Sequence, residues 1–430
     1  MPNTRLDSLP RSTRLRFRSA AALVGVSLII AGCSSAAATP TAASATAASA
    51  TTAATSAASA APVASPTAKA PYYLTIGTDM SSQFTSACCS IPMANGFQAW
   101  IANVNSQGGV NDHQVVVNVL DDRADVATGL ANYQQTLDSK SLGFMIEGSS
   151  TVFTPIAAKV GADKIVESNV GGYKGGIGVY PYVYNILANL PMFAVELPKF
   201  AATKVTSATG SKVAYFTYDS TLTETFQPAI TKAFTDQGWK LVYSQLVPTT
   251  ASDFAVAAGS IAAGSPDVVV VDLLEGQLPQ FVSQLRARGV KAPIVNFSSN
   301  IADATKAKIA DTNLFFLEST ASPTNQSNPA VVAMDKVANA TKFTTGVYNA
   351  FFIQGYVHAQ IVLAALAKCG DTCTRDSLNS ALENTTVPGG GLMAGNPGYS
   401  PDSHVQTKSL IVDYWDLPSA SVKLAAGYSL

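Results

Sequence analysis

Charge and histidine are scarce in this sequence. Of its 430 residues 13% are charged and three are histidine, at positions 113, 358 and 404. The three histidines are scattered, with no HExxH pair or comparable ligand spacing, so no metal site is expected. His358 falls inside the apolar helical pattern Phe351, Ile353, Tyr356, Val357 and Ile361 and reads as a helix-face residue. A surplus of basic charge is also missing. Lys and Arg number 27 against 28 Asp and Glu, which gives no support for a nucleic-acid or anionic-membrane partner, since either needs a basic patch. No GxSxG, Walker A or GxGxxG sequence occurs. Gly171-Gly172 and Gly175-Gly176 flank Tyr173-Lys174 without the strand-to-helix setting of a phosphate loop. The pair Asp121-Asp122 has no nucleophile or base beside it and reads as a solvated strand-end turn or a surface contact. No cofactor and no enzymatic activity are expected.

What the chain does have begins at its N-terminus. Arg5, Arg11, Arg14, Arg16 and Arg18 precede the apolar run Ala20 to Ile30, which has the layout of a secretory signal peptide and is too short for an ordinary membrane span. Ile30-Ala31-Gly32-Cys33 follows directly and resembles the bacterial lipobox, in which small residues fit the signal peptidase and the cysteine thiol receives diacylglycerol. Residues 1–32 are then removed and Cys33 becomes the lipidated first residue. Two or three acyl chains suffice for stable anchoring where one does not. Residues 1–32 carry five arginines and one aspartate, so the remainder holds 22 basic and 27 acidic side chains and is mildly acidic. Residues 33–71 are almost entirely Ala, Ser, Thr, Pro and Val, cannot pack a core, and read as a disordered tether.

From Tyr72 onward strand and helix patterns alternate. Tyr73 to Gly77, Val115 to Leu120 and Gly143 to Glu147 are β-rich runs. Between the first two, Ala94, Phe97, Ile101 and Val104 recur at helical spacing and stop at Gly108-Gly109. A further helix is expected to begin near Pro155. The series restarts at Lys212 to Phe216, and Val268 to Val271 is apolar on both faces, as a central parallel strand is. Two successive βαβ series imply an α/β protein with two doubly wound, Rossmann-like lobes.

The stretch NGFQAWIANVNSQGGVNDHQVVVNVLDD, Asn95 to Asp122, resembles the first helix and second strand of leucine/isoleucine/valine-type periplasmic solute-binding proteins of ABC transporters. GSSTVFTPIAAKV (Gly148 to Val160), the strand ending Tyr218-Asp219, PDVVVVDLLEGQLPQFVSQLRARG (Pro266 to Gly289), a long helix from about Gly346 to Lys368 and a late strand Leu410 to Trp415 continue the likeness in order. The resemblance implies a type I periplasmic-binding-protein fold, with lobe one at 72–188 and 320–405, lobe two at 189–319 and 406–430, and three crossovers between them. It also implies an extracytoplasmic protein, lipid-anchored to the bacterial cell membrane, that hands a small polar solute to ABC permease subunits. A surface sensor or adhesion lipoprotein reusing the fold is the alternative.

In such a cleft the ligand sits beyond the carboxyl ends of the strands. Ser149, Ser150 and Thr151, between a strand and a helix N-terminus, offer hydroxyls and free amides to a carboxylate or another electron-rich oxygen. Tyr218 resembles the family's cleft-facing tyrosine, and Phe84 and Tyr173 are candidate aromatic walls. Where the branched-chain amino-acid binders carry a Pro-Glu pair whose glutamate holds the ligand ammonium, this chain has Pro279-Gln280. A neutral amide supplies no counter-charge, and a desolvated cation without one is costly. Glu275 is a candidate replacement, placed by the alignment at the strand end. The implied ligand is therefore amide-like or an organic acid rather than an aliphatic α-amino acid.

Beyond Cys33 there are four cysteines, Cys88, Cys89, Cys369 and Cys373, which permit three full pairings in an oxidising compartment. Cys369 and Cys373 are close enough in sequence to bridge. By the family layout the long helix starts near the cleft, so its end lies on the order of 30 Å from Cys88 and Cys89. A vicinal bond between those two, or two free thiols, then remains.

Overall fold

The protein is described from a computed structural model covering residues 69–81, 86–170, 180–297 and 301–430. The signal segment, Cys33, most of the tether, Phe84 and Tyr173 lie outside the described residues, as does the side chain of Ser150. The last residues of the predicted tether are held by the fold: Lys69 Nζ donates to Asp371 Oδ2 at 2.8 Å and to the Asn111 carbonyl at 3.0 Å.

The first series runs β1 (Tyr72–Thr78), α1 (Ile91–Ser106), β2 (Val115–Asp121), α2 (Val126–Asp138), β3 (Gly143–Glu147), α3 (Ser150–Asp163), β4 (Val166–Asn169) and β5 (Val183–Asn185). The second runs α4 (Leu190–Ala202), β6 (Lys212–Tyr218), α5 (Thr221–Asp236), β7 (Lys240–Val247), α6 (Ala255–Gly264), β8 (Val268–Asp272), α7 (Leu278–Ala287), β9 (Ile294–Asn296), α8 (Asp303–Ile309) and β10 (Leu314–Glu318). The chain closes with α9 (Pro329–Thr341), α10 (Ala350–Cys369), α11 (Arg375–Leu382), β11 (Ile411–Asp416) and β12 (Ser421–Leu424).

Among the described residues the first sheet has the order β2-β1-β3-β4-β5 and is parallel throughout. The second has the order β12-β11-β10-β9-β8-β6-β7, with β11 and β12 antiparallel additions at one edge. Stripped of that edge, both sheets show one doubly wound arrangement, in which the first strand of the series lies between the second and the third. Each sheet buries both faces. Met93, Phe97 and Ile101, one helical turn apart on α1, join α9 and α10 on one face of the first sheet. Tyr133, Val152, Phe153 and Ile156 from α2 and α3 cover the other. Burying each large apolar side chain stabilises the fold by roughly 1.5–3 kcal/mol. The all-valine run Val268 to Val271 sits between two cores, one built with α4 and α5 and the other with α6 and α7. The chain passes from the first core to the second between Ile186 and Ala188, returns between Leu317 and Ala321, and passes once more between Tyr399 and Leu410.

Helices α1 and α10 cross with their backbones in contact. A Cβ on Gly96 would lie 2.1 Å from the Phe352 carbonyl oxygen, and one on Gly355 would lie 2.0 Å from that of Met93. Any side chain at either position drives the helices apart. Helix α10 is long and apolar enough to cross a membrane but is 78% buried over its most apolar window, so the first core accounts for its composition. His358 is buried on it, 2.9 Å from both Gln406 Oε1 and Ser168 Oγ, and burial pulls its pKa down to about 4.

One helix start differs from expectation. α3 opens at Ser150, so Pro155 lies inside the helix rather than at its first turn. α3 follows β3 after only Gly148 and Ser149, and the helix tolerates the one hydrogen bond that proline cannot donate.

Candidate functional site

In a doubly wound sheet a crevice opens where the strand order reverses, beyond the carboxyl ends of the strands. Here those points lie between β1 and β3 in the first sheet and between β6 and β8 in the second. Helices α3 and α5, which leave β3 and β6 at the two points, approach each other, so the two strand-end surfaces are apposed.

On the first surface Ser149 occupies the N-cap of α3, yet its side chain makes no capping bond. Thr151, the second residue of the helix, is exposed. The hydroxyl of Ser149 and the unpaired amides of this helix end are therefore available to an oxygen of a ligand. Beside them Gly148 is required by close approach: a Cβ there would meet Ser90 Oγ at 2.5 Å and Thr78 Oγ1 at 2.8 Å. Both hydroxyls are buried without a hydrogen-bond partner.

Beneath this rim lie four acids that strand ends bring together. Asp121 Oδ1 accepts from the Met80 and Arg123 amides, both at 2.9 Å, and Asp122 Oδ1 accepts from the Ala124 amide at 2.7 Å. Glu147 Oε1 accepts from the Ser149 amide at 2.7 Å, and Asp79 Oδ1 from the Ser81 amide at 3.2 Å. The strand β3 carries a register irregularity between Phe144 and Glu147. Ile146 there has φ of 63°, a strained value for a β-branched residue, and its amide donates to Ser168 Oγ at 3.1 Å. Glu147 is buried at the far side of that irregularity. Burial pushes the Asp122 carboxyl up, and burial together with the Asp122 charge pushes Glu147 well above the carboxylate range. Asp121 is held below its usual value: burial acts upward, but the bonds from Ser81 and the Met80 and Arg123 amides outweigh it. The expectation of a solvated turn at Asp121-Asp122 is thus corrected. Asp122 is fully buried because Thr78 and Glu147, from strands distant in sequence, close over it.

On the second surface Tyr218 ends β6, half-buried, and burial followed by the charge of Asp272 pushes its hydroxyl up. A capping box joins Ser220 and Thr223 at the start of α5, and Thr223 Oγ1 also donates to the Tyr218 carbonyl at 2.5 Å. Glu275 lies in the loop beyond β8, which ends at Asp272, rather than at the strand end that the family resemblance implies, and accepts from Thr305 Oγ1 at 2.6 Å. Gln280 is exposed in the first turn of α7.

A model of the periplasmic binding protein family matches residues 71–416. The chain belongs to the periplasmic binding protein family. No curated protein matches it in sequence. Among solved structures it is similar to a branched-chain amino acid ABC transporter from Thermus thermophilus with bound valine, at TM-score 0.72 and 13% identity over 84% of this chain and 96% of that one. It is also similar to a fatty acid ABC transporter substrate-binding protein from Thermomonospora curvata, at TM-score 0.67 and 16% identity over 82% of this chain and 91% of that one. A solute-binding protein from R. palustris in complex with 4-hydroxybenzoate gives TM-score 0.68 and 16% identity over 82% and 95%. These likenesses establish the type I fold of the family. Valine, fatty acid and hydroxybenzoate are carried on one architecture, so in periplasmic binding proteins the ligand is read from side chains and not from fold.

Two disulfides are present, Cys369 to Cys373 and the vicinal Cys88 to Cys89. The latter lies in a π-helical turn, Ser86–Ser90, that leads into α1. Asn349, the N-cap of α10, donates to the Cys88 carbonyl at 2.8 Å, which puts the start of the long helix beside the cleft-side turn. Sequence reasoning passed over Thr78, Asp79, Ser90, Glu147 and Asp272. The polar Thr-Asp ending of the apolar run Tyr72 to Gly77 was the available signal.

Proposed function

We propose that this chain is a lipid-anchored, extracytoplasmic receptor that captures a small polar solute between its two sheets and presents it to the permease of an ABC importer. The reading rests on one observation, the apposition of two switch points of identical strand order. Lobe one comprises 72–188 and 320–405, and lobe two 189–319 and 406–430. Ser149, Ser150 and Thr151 bind an electron-rich oxygen of the solute, while Tyr218 and Glu275 contact it from the second lobe. Gln280 replaces a charge, so an aliphatic α-amino acid is disfavoured and an amide-like solute or organic acid is preferred. The protein binds and releases without catalysis.

A thermal-shift screen of amino acids, amides and carboxylates, followed by calorimetry on each hit, tests this. Changing Ser149 and Thr151 together to Ala should weaken a confirmed hit by about tenfold for each hydrogen bond lost. Micromolar binding of leucine or valine overturns the argument from Gln280. The anchor is tested by Cys33→Ala, which should release the protein into the medium or leave it unprocessed.

A further inference from the structure

The residues that lead into β1 are held by contacts that the solute reading does not use. Lys69 Nζ donates to Asp371 Oδ2 at 2.8 Å and to the Asn111 carbonyl at 3.0 Å. One residue on, His113 Nδ1 donates to the Ala70 carbonyl at 2.6 Å, and its Nε2 lies 3.3 Å from Asp371 Oδ1. Asp371 therefore reaches two partners, one oxygen towards the lysine and the other towards the histidine. It stands in the loop that the Cys369 to Cys373 disulfide closes at the end of α10. The Gly370 carbonyl of that loop accepts from Tyr72 Oη at 3.0 Å. His113 is itself buried and stacks on the Tyr72 ring, with 4.4 Å between ring centres. The peptide bond from Lys69 to Ala70 is thus gripped on both sides, by the lysine side chain and by the alanine carbonyl.

The sequence makes this bond singular. Lys69 is the one lysine or arginine between Cys33 and Arg123. A serine protease specific for basic residues therefore has a single bond to attack in the Ala-, Ser-, Thr- and Pro-rich stretch and its junction with the fold. To attack it, the protease must take the Lys69 ammonium onto the carboxylate of its own specificity pocket. Asp371 offers the same ion pair within the chain, so fold and protease compete for one side chain. The geometry points to Lys69-Ala70 as a guarded processing site, at which a protease of this class severs the folded part from the stretch before it. Water adds across the amide: the Lys69 carbonyl carbon takes the hydroxyl and becomes a carboxyl, and the Ala70 nitrogen takes the proton and leaves as an amine. The side chains of the guarding pair are 37% and 56% exposed, and an ion pair so solvated is weak, so the guard slows the cut without forbidding it. β1 starts at Tyr72 and carries the solute rim at its other end, so a body beginning at Ala70 keeps every described strand and helix. Release of that body from a membrane rests on the anchor reading, whereas the cleavage does not.

The experiment treats the complete protein in phosphatidylcholine vesicles with trypsin and follows the appearance of the Ala70 N-terminus by mass spectrometry, so cuts elsewhere do not enter. A free peptide of residues 61–76 supplies the unguarded rate. The bond should be cut more slowly in the protein than in the peptide. Asp371→Ala should speed it about two- to fivefold, the range that an exposed ion pair supports. Roughly 0.5 M NaCl should bring the parent towards the variant when both are referred to the peptide, because salt screens the pair. Cleavage of the parent as fast as the peptide overturns the proposal, as does an unchanged rate in Asp371→Ala. Loss of the body's melting transition on cleavage overturns it too, since the junction would then be a strut of the fold. Flotation of the vesicles reads the anchor separately: an Ala70 terminus on a body that still floats leaves the site standing and sinks the anchor reading.

Discussion

Around Lys306 in the second sheet and around Asp122 in the first, acids from separate strands converge in the interior, and the two groups are balanced differently. Lys306, on α8, is 3% exposed, with its Nζ 3.1 Å from Glu318 Oε1, 3.2 Å from Asp413 Oδ2 and 3.7 Å from Asp303 Oδ1. It also lies over the Phe316 ring, 4.7 Å from its centre. Burial pulls the lysine down, but the Asp413, Glu318 and Asp303 charges outweigh this and hold it above its ordinary value. Burial pushes the Glu318 and Asp413 carboxyls up, even against the pull of that lysine. In the first group Asp121 faces the solvated Arg123, and burial raises Asp122 and Glu147, which share a side-chain hydrogen bond. A chain that carries its own counter-charge fixes a structure once folded. One that relieves buried acids by protonation makes that part of the fold answer to pH.

The sharpest way to break this contrast is to remove the built-in cation. Lys306→Met leaves three buried acids uncompensated and should cost about 3–5 kcal/mol of stability, the usual penalty for stripping one partner from a buried ion cluster. Denaturant midpoints measure it, and a loss under 1 kcal/mol would show that the acids take up protons so readily that the lysine is superfluous. Glu167 on β4 offers a third arrangement, an acid fully buried with no cation against it among the described residues. Burial raises its pKa well above the usual range. The folded state therefore holds this proton more tightly than the unfolded chain, and stability falls as pH rises from about 4.3 towards the raised value, by at most ~1.4 kcal/mol per pH unit. Glu167→Gln cannot titrate, so its advantage over the parent should widen between pH 5 and 7.5. Parallel pH profiles would contradict the buried-acid account. The smallest effect belongs to an exposed pair: Lys232→Ala, which breaks the bond to Asp236 on α5, should change stability by about 0.3–0.5 kcal/mol. A larger change there would mean that burial is not what separates the clusters.

Strands were legible where the chain is β-branched and apolar on both faces. Val268 to Val271 announces a central strand because no other packing hides four valines in succession, and β8 lies there. The two doubly wound sheets follow from counting such runs. Pro155 misled the placement of α3, since a proline near a helix start reads as its first turn. The true start is dictated by where β3 ends, which is a tertiary constraint. The acids were legible as residues but not as a group. Asp121-Asp122 looks like any polar strand end until the order β2-β1-β3 lays Asp79 and Glu147 on either side, and strand order is not written in local sequence.

The paired glycines at the α1–α10 crossing set what this scaffold can do as an optical reporter. With the two backbones touching at Gly96 and Gly355, neither helix can slide or lean without a steric clash. Dyes attached at the exposed ends of these helices, at Gln107 and Ala367, should keep their separation for as long as this crossing stays packed and so serve as an internal reference channel. A signal that responds to an analyte has to come from a second pair with one dye on each sheet.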